Sequence, residues 1–233
     1  MIAVCVIILA AAEGLYLGWV NGPVVLGCIV LSAAAAYLLG CSNGAVLVSK
    51  YALRDDVRTH GSGNAGLTNF YRSFGGPLTL LVILSDVLKM VLAAYLSVWM
   101  WRVIGADSPV LAKYWAGVWC LVGHMFPCMF RFKGGKGILS GGTLALLLDW
   151  RIALVVWGGF LLLTALTKYV SLGSLWAGAS FPFITWYCFS EETGVIVLAF
   201  IIGGLIVWQH RANIKRLLSG TESKFSLHKK KQG

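Results

Sequence analysis

Residues 77–100 read PLTLLVILSDVLKMVLAAYLSVWM. A helix crosses the hydrocarbon core of a bilayer with about 20 mostly apolar residues, and this run is long enough. Only Asp86 and Lys89 interrupt it with charge. Three apart on a helix, they share a face and can pair. Charges at that depth face the bundle or a wet cavity, not lipid. An ion pair of purely structural use fits them as well as a functional one. A soluble protein with a large core is the competing reading. Composition excludes it: 58% of the 233 residues are hydrophobic and 12% charged, whereas soluble domains carry about a quarter charged residues.

Further apolar runs lie near 2–20, 23–48, 110–123, 138–149, 152–167, 171–189 and 193–209. The pattern predicts an all-α integral membrane protein, a transmembrane bundle of up to eight helices. Residues 1–22 form an extra N-terminal apolar segment that could add a span. Several runs are short, which predicts broken or tilted helices, because irregular backbone at membrane depth must be covered by protein or line a wet cavity. The transmembrane domain covers 23–210, and a basic juxtamembrane helix and tail cover 211–233. Glu13, alone in the first run, has no assignable partner.

The net charge is +10. Its distribution argues for topology and against nucleic acid as a partner. Lys50, Arg54, Arg58, Arg72, Arg131, Lys133, Lys136, Lys168 and the basic tail fall on one side of the spans; Arg102, Lys113 and Arg151 fall on the other. The richer side is cytoplasmic by the positive-inside rule. Six cysteines lie mostly in apolar runs with no C-x-x-C pair, so they read as small apolar residues. No His/Cys/Asp/Glu set has metal-ligand spacing, so no metal and no cofactor is expected.

Three segments on the basic side carry chemistry. The first is GSGNAGLTNFYR, residues 61–72. Its glycines let the backbone turn tightly and bring N–H groups to a ligand. Ser62, Gly63, Asn64, Thr68 and Asn69 add donors, and Arg72 adds a planar cation suited to phosphate. Such a nest binds oxyanions; a flexible surface turn is the bland alternative. The second is GHMFPCMFRFKGGKG, residues 123–137. Lys133 and Lys136 flank Gly134 and Gly135 just before a helix whose dipole adds to anion binding. A Walker A loop is excluded, since that motif needs glycine at Phe130 and Ser or Thr at Gly137. His124 at a span's end reads first as a capping or hydrogen-bonding residue and second as a ligand contact. The third is HRANIKRLLSGTE, residues 210–222. His210 and Asn213, three apart, share a helix face.

These three ordered segments resemble the signature motifs of the bacterial acyl-phosphate:glycerol-3-phosphate acyltransferase family. YVSLGS at residues 169–174 and the Asp86/Lys89 pair resemble it too. The similarity covers about residues 33–225. It implies seven spans in the bacterial inner membrane, with the motifs cytoplasmic, and makes residues 23–210 the acyltransferase domain. It implies transfer of a fatty acyl group from acyl phosphate to the sn-1 hydroxyl of glycerol 3-phosphate, and functional contact with the soluble enzyme that forms acyl phosphate. By motif position Ser62, Thr68, Arg72, Lys133, Ser171, His210 and Asn213 line the substrate site. Ser62, Lys133 and His210 are the catalytic candidates. Gly63, Asn64, Asn69, His124, Gly134, Gly135 and Lys136 join the substrate-binding set. There are two departures, the extra apolar segment before the family's first helix and a missing proline. The family's first span carries a Gly-Ser-Ile-Pro-x-Gly-like stretch, and Gly40-Cys41-Ser42-Asn43-Gly44 stands there without the proline, which leaves a kink at that point unsupported. A transporter of a phosphorylated anion is the alternative. It predicts ionisable groups near the midplane and internal repeats; the basic cluster lies at one face and no repeat is visible.

Overall fold

The computed structural model describes residues 22–225. The expected span over 2–20 and the Lys229–Lys231 run lie outside them. Every regular element among the described residues is helical: α1 (Gly22–Cys41), α2 (Gly44–Ala52), α3 (Leu67–Ser73), α4 (Leu78–Val103), α5 (Pro109–Met125), α6 (Ile138–Leu148), α7 (Trp150–Thr167), α8 (Val170–Cys188), α9 (Thr193–Gln209) and α10 (Arg211–Leu218). Short 3-10 turns fill Val57–Thr59 and Cys128–Phe130.

The apolar runs became helices because an apolar backbone can satisfy its polar groups only internally. α4 has 26 residues and reaches about 39 Å, enough to span. α6 has 11 residues and reaches about 16 Å, half of a hydrocarbon core. Lipid-facing and protein-facing sides separate clearly. α7 buries only Ile152, Ala153 and Val156, while Leu154, Leu161, Leu162 and Leu166 lie exposed. Such a wide apolar surface belongs against lipid tails.

α5 is the centre. It packs against α1, α4, α6 and α9. Small residues let it approach closely, as helices in membranes require. A Cβ at Gly123 would collide with the Tyr37 backbone carbonyl, and one at Gly40 with that of Cys120. Cys41 and Cys120 are buried like the apolar residues they were read as, but Cys128 is exposed on the turn after α5.

The expected continuous helix over 23–48 is broken, and the missing proline does not prevent it. Asn43 starts α2 as its N-cap: its side chain accepts from the Val46 N–H at 3.1 Å, a standard N-cap geometry. Its amide nitrogen donates to the Ala65 carbonyl at 3.0 Å. The Gly44 N–H reaches Asp86 Oδ1 at 3.4 Å. A polar cap and a buried carboxylate replace the proline. A second break lies at His210, where α9 and α10 bend by 54°.

Gly123→Ala forces α5 away from α1 and is expected to cost about 1–3 kcal/mol of stability. Gly204→Ala, with nothing within 4 Å of the new methyl, is the control. Thermal unfolding in detergent should separate the two; equal melting temperatures would contradict this packing.

Candidate active site

The first glycine loop is not a floppy turn. Val57, Ala65 and Phe70 are fully buried with Ala45, Val46 and Val82. Asn69 organises the backbone around itself. Its amide nitrogen reaches the carbonyls of Val57, His60 and Asn64, each at 3.0 Å. Its carbonyl accepts from the Ser62 N–H at 3.0 Å. Gly61 has φ +54 and no room for a Cβ against Asn69, so only glycine fits. Arg58 ties this loop to the second one, donating to the Phe130 carbonyl at 2.8 Å and the Lys133 carbonyl at 3.3 Å. Arg58 also pairs with Asp56 at 2.7 Å. That guanidinium holds the Asp56 carboxyl down at about 2.

The second loop folds back over the end of α5. The Gly134 N–H donates to the Met125 carbonyl at 3.2 Å and the Gly135 N–H to the His124 carbonyl at 3.1 Å. A Cβ at either glycine would strike His124. Arg131 and Phe132 take left-handed backbone, φ 57 and 56, so the chain turns sharply before the glycines. Lys133 is thereby left on the outer, exposed face, and Lys136 points inward.

Lys136 meets the third segment. It donates to Asn213 Oδ1. Asn213 passes the chain on to Glu222 Oε1 at 2.8 Å, and Arg216 donates to Glu222 Oε2 at 2.6 Å. Burial opposes a charge on Glu222, but Asn213 and Arg216 hold its carboxyl below the usual range. His210, 2% exposed, sits at the α9–α10 break with Nδ1 at 2.8 Å from the Ile206 carbonyl. A carbonyl only accepts, so Nδ1 carries a proton and the neutral ring turns a lone pair outward at Nε2.

These groups line one cavity of about 1200 Å³. Its lining includes the polar groups of Arg72, Lys136, His210, Asn213, Arg216 and Glu222 and the apolar side chains of Leu139, Trp157, Phe160 and Val170. The Ser171 hydroxyl is buried there beside the Glu222 carboxylate and helps hold it charged. No group of three or more potential metal ligands occurs among the described residues.

The family model described as glycerol-3-phosphate acyltransferase matches residues 30–220. The chain belongs to this family. It is 39% identical over 183 residues to a glycerol-3-phosphate acyltransferase of Clostridioides difficile (strain 630), covering 78% of this chain and 88% of that one. A second such enzyme, from Endomicrobium trichonymphae, is 36% identical over 190 residues, covering 80% and 90%. The fold of this chain is similar to the crystal structure of PlsY, an integral membrane glycerol 3-phosphate acyltransferase, in the glycerol 3-phosphate form. That match has a TM-score of 0.75 and 33% identity, over 85% of this chain and 96% of that one.

Within this acyltransferase the cavity gathers Ser62, Asn64, Thr68, Asn69, Arg72, His124, Lys136, Ser171, His210 and Asn213. It does not gather Gly63, Lys133, Gly134 or Gly135. The two lysines of the second motif differ in placement: Lys136 lines the cavity, whereas the catalytic candidate Lys133 is exposed outside it. Asn69 borders the cavity but spends its amide on the loop. Sequence reasoning did not single out Arg216 or Glu222. The signal was there: Arg216 lies three residues beyond Asn213, as Asn213 lies three beyond His210.

Burial above all, then the nearby Arg216 and Arg72, pushes Lys136 down to about 8. Its charge is present below that pH and lost above it. Affinity for inorganic phosphate should therefore fall as pH rises through about 8. Lys136→Arg, whose guanidinium stays charged, should move that loss to higher pH. Calorimetric titration against pH checks it; an unmoved profile would exclude Lys136 as the anion's partner.

Proposed function

We propose that this acyltransferase moves a fatty acyl group from acyl phosphate to the sn-1 hydroxyl of glycerol 3-phosphate, giving 1-acyl-glycerol 3-phosphate and phosphate. One observation carries the reading: a single cavity is lined both by cationic, hydrogen-bonding groups and by apolar side chains. A phosphorylated acceptor and a long-chain phosphorylated donor need both. Solved structures of the related PlsY in glycerol 3-phosphate and lysophosphatidic acid forms support the same pairing.

In this reading Arg72 and Lys136 hold phosphate groups. Ser62 and the loop N–H groups stabilise the oxygen that gains charge. Asn213 and the Nε2 lone pair of His210 orient glycerol 3-phosphate. The acceptor hydroxyl oxygen attacks the acyl carbonyl carbon. The bond from that carbon to the phosphate oxygen breaks, and its electrons leave with phosphate. The hydroxyl proton passes to a substrate phosphate or to His210. Acyl phosphate is a mixed anhydride with a good leaving group, so the protein mainly positions.

α1, α4, α5, α6, α7, α8 and α9 make the seven spans, with the short α6 sheltered by its neighbours. The basic loops support a cavity mouth facing the cytoplasm across the bacterial inner membrane, by the positive-inside rule. In this reading the chain divides into three parts at residues 22 and 210. That mouth also suits delivery of acyl phosphate by the soluble enzyme that makes it.

Purified protein given glycerol 3-phosphate and palmitoyl phosphate should release phosphate only when both are present. Anion flux across vesicles without acyl transfer would indicate a transporter instead. Arg72→Ala should raise KM for glycerol 3-phosphate by about 10-fold or more, the scale of one lost charged hydrogen bond. His210→Gln should flatten the acid limb of the pH–rate profile if His210 takes the proton, and leave its shape unchanged if it only orients substrate.

A further inference from the structure

The buried charge pair of α4 has no part in the mechanism above. Asp86, Lys89 and His124 are 2%, 3% and 3% exposed. The Lys89 ammonium has three protons and finds three acceptors: Asp86 Oδ1 at 2.6 Å, His124 Nδ1 at 2.6 Å and the Ser42 carbonyl at 3.3 Å. An ammonium only donates. Nδ1 of His124 therefore offers its lone pair, and the neutral ring carries its proton on Nε2. The pair cannot drift. Asp86 Oδ1 also receives the Gly44 N–H, and the Asp86 carbonyl accepts from the Ser140 hydroxyl at 3.2 Å.

Nε2 of His124 makes no hydrogen bond to any described residue. His124 borders the cavity beside Lys136 and Gly137. His210 is the counterpart: its Nδ1 faces a carbonyl, so its Nε2 is an acceptor. One cavity holds two imidazoles fixed in opposite tautomers.

We propose that Asp86 and Lys89 are positioning residues that lock His124 as the Nε2–H tautomer, and that this N–H donates to the oxygen gaining charge during acyl transfer. That oxygen belongs to the tetrahedral carbonyl or to the departing phosphate. The inference rests on the acyl-transfer reading. A pre-set neutral donor stabilises the developing charge without a proton leaving or arriving. It also accounts for a charge pair deep in an apolar helix.

The test uses the full-length enzyme and compares variants with one another. Wild-type turnover alone tests the function, so its failure is distinguishable from failure of this inference. His124→Gln places an amide N–H near the Nε2 position. His124→Asn keeps a partner for Lys89 but nothing at Nε2. Losing one such donor lowers kcat by about 100-fold or more, so His124→Asn should fall that far and His124→Gln should exceed it at least about 10-fold. The second comparison removes charge from both variants. Asp86→Asn with Lys89→Gln keeps a donor to Nδ1, whereas Asp86→Asn with Lys89→Met does not. The first should exceed the second in kcat by about 10-fold, with KM for glycerol 3-phosphate changed by less than about 2-fold between them. Equal kcat within the Asn/Gln pair at His124 overturns the donor. Equal kcat between the folded double variants overturns the lock. If a double variant fails to fold, as thermal unfolding reveals, the His124 pair decides.

Discussion

Lys89 is the tie on which the active end of the bundle depends. A lone ammonium at that depth is too costly to keep, and a lone carboxylate equally so. Together they are tolerable only when every proton and lone pair finds a partner. The partners come from separate segments: α4 supplies Asp86, the break after α1 supplies the Ser42 carbonyl and the Gly44 N–H, and α5 supplies His124. Satisfying one buried ion pair fixes how the broken first span sits against the two helices that carry the catalytic loops. The glycine contacts between α1 and α5 act at the same place, so packing and polar satisfaction agree.

Above that tie the two glycine loops are held in register with each other. Asn69 gathers the first loop, and Arg58 binds it to the carbonyls of the second. Asn69 spends its amide on backbone, and Arg58 divides its donors between the second loop's carbonyls and the Asp56 carboxylate. In the proposed reading phosphate contact falls to Arg72 on α3 and Lys136 of the second loop, with Asn213 and His210 arriving from the bent α9–α10 junction. Substrate affinity in such a site is sensitive to residues that never touch substrate, because a displaced loop misplaces its cation by ångströms.

The helices were legible because hydrophobic runs of spanning length admit no other structure in lipid, and the 26-residue α4 extends the run that announced it. The three active segments were legible from residue type. What the sequence concealed was direction. Lys133 and Lys136 stand on either side of two glycines and look equivalent as letters. Consecutive left-handed residues at Arg131 and Phe132, non-glycine and so unexpected there, turn one outward and leave the other facing Asn213. The break after α1 was hidden for a related reason. Proline is the usual signal, whereas here a buried asparagine and a carboxylate from residue 86 cooperate across space, which no local pattern records.

Among the described residues His124 and His210 hydrogen-bond to Lys89 and the Ile206 carbonyl and not to a serine hydroxyl, as a Ser-His-Asp triad requires, and the chemistry makes that intelligible. A triad exists to turn a hydroxyl into a nucleophile against a poor leaving group. Acyl phosphate brings a good leaving group and a phosphate that can itself take a proton. What remains is to hold two anions close together despite their repulsion, and to supply an acceptor on one side of the reacting carbon and a donor on the other. In the proposed mechanism Arg72, Lys136 and Arg216 answer the repulsion, and the two histidines, one backed by a carbonyl and one by an ammonium, answer the second need. Each ring's outer nitrogen is set by what stands behind it, so one stands ready to accept and the other to donate before substrate arrives.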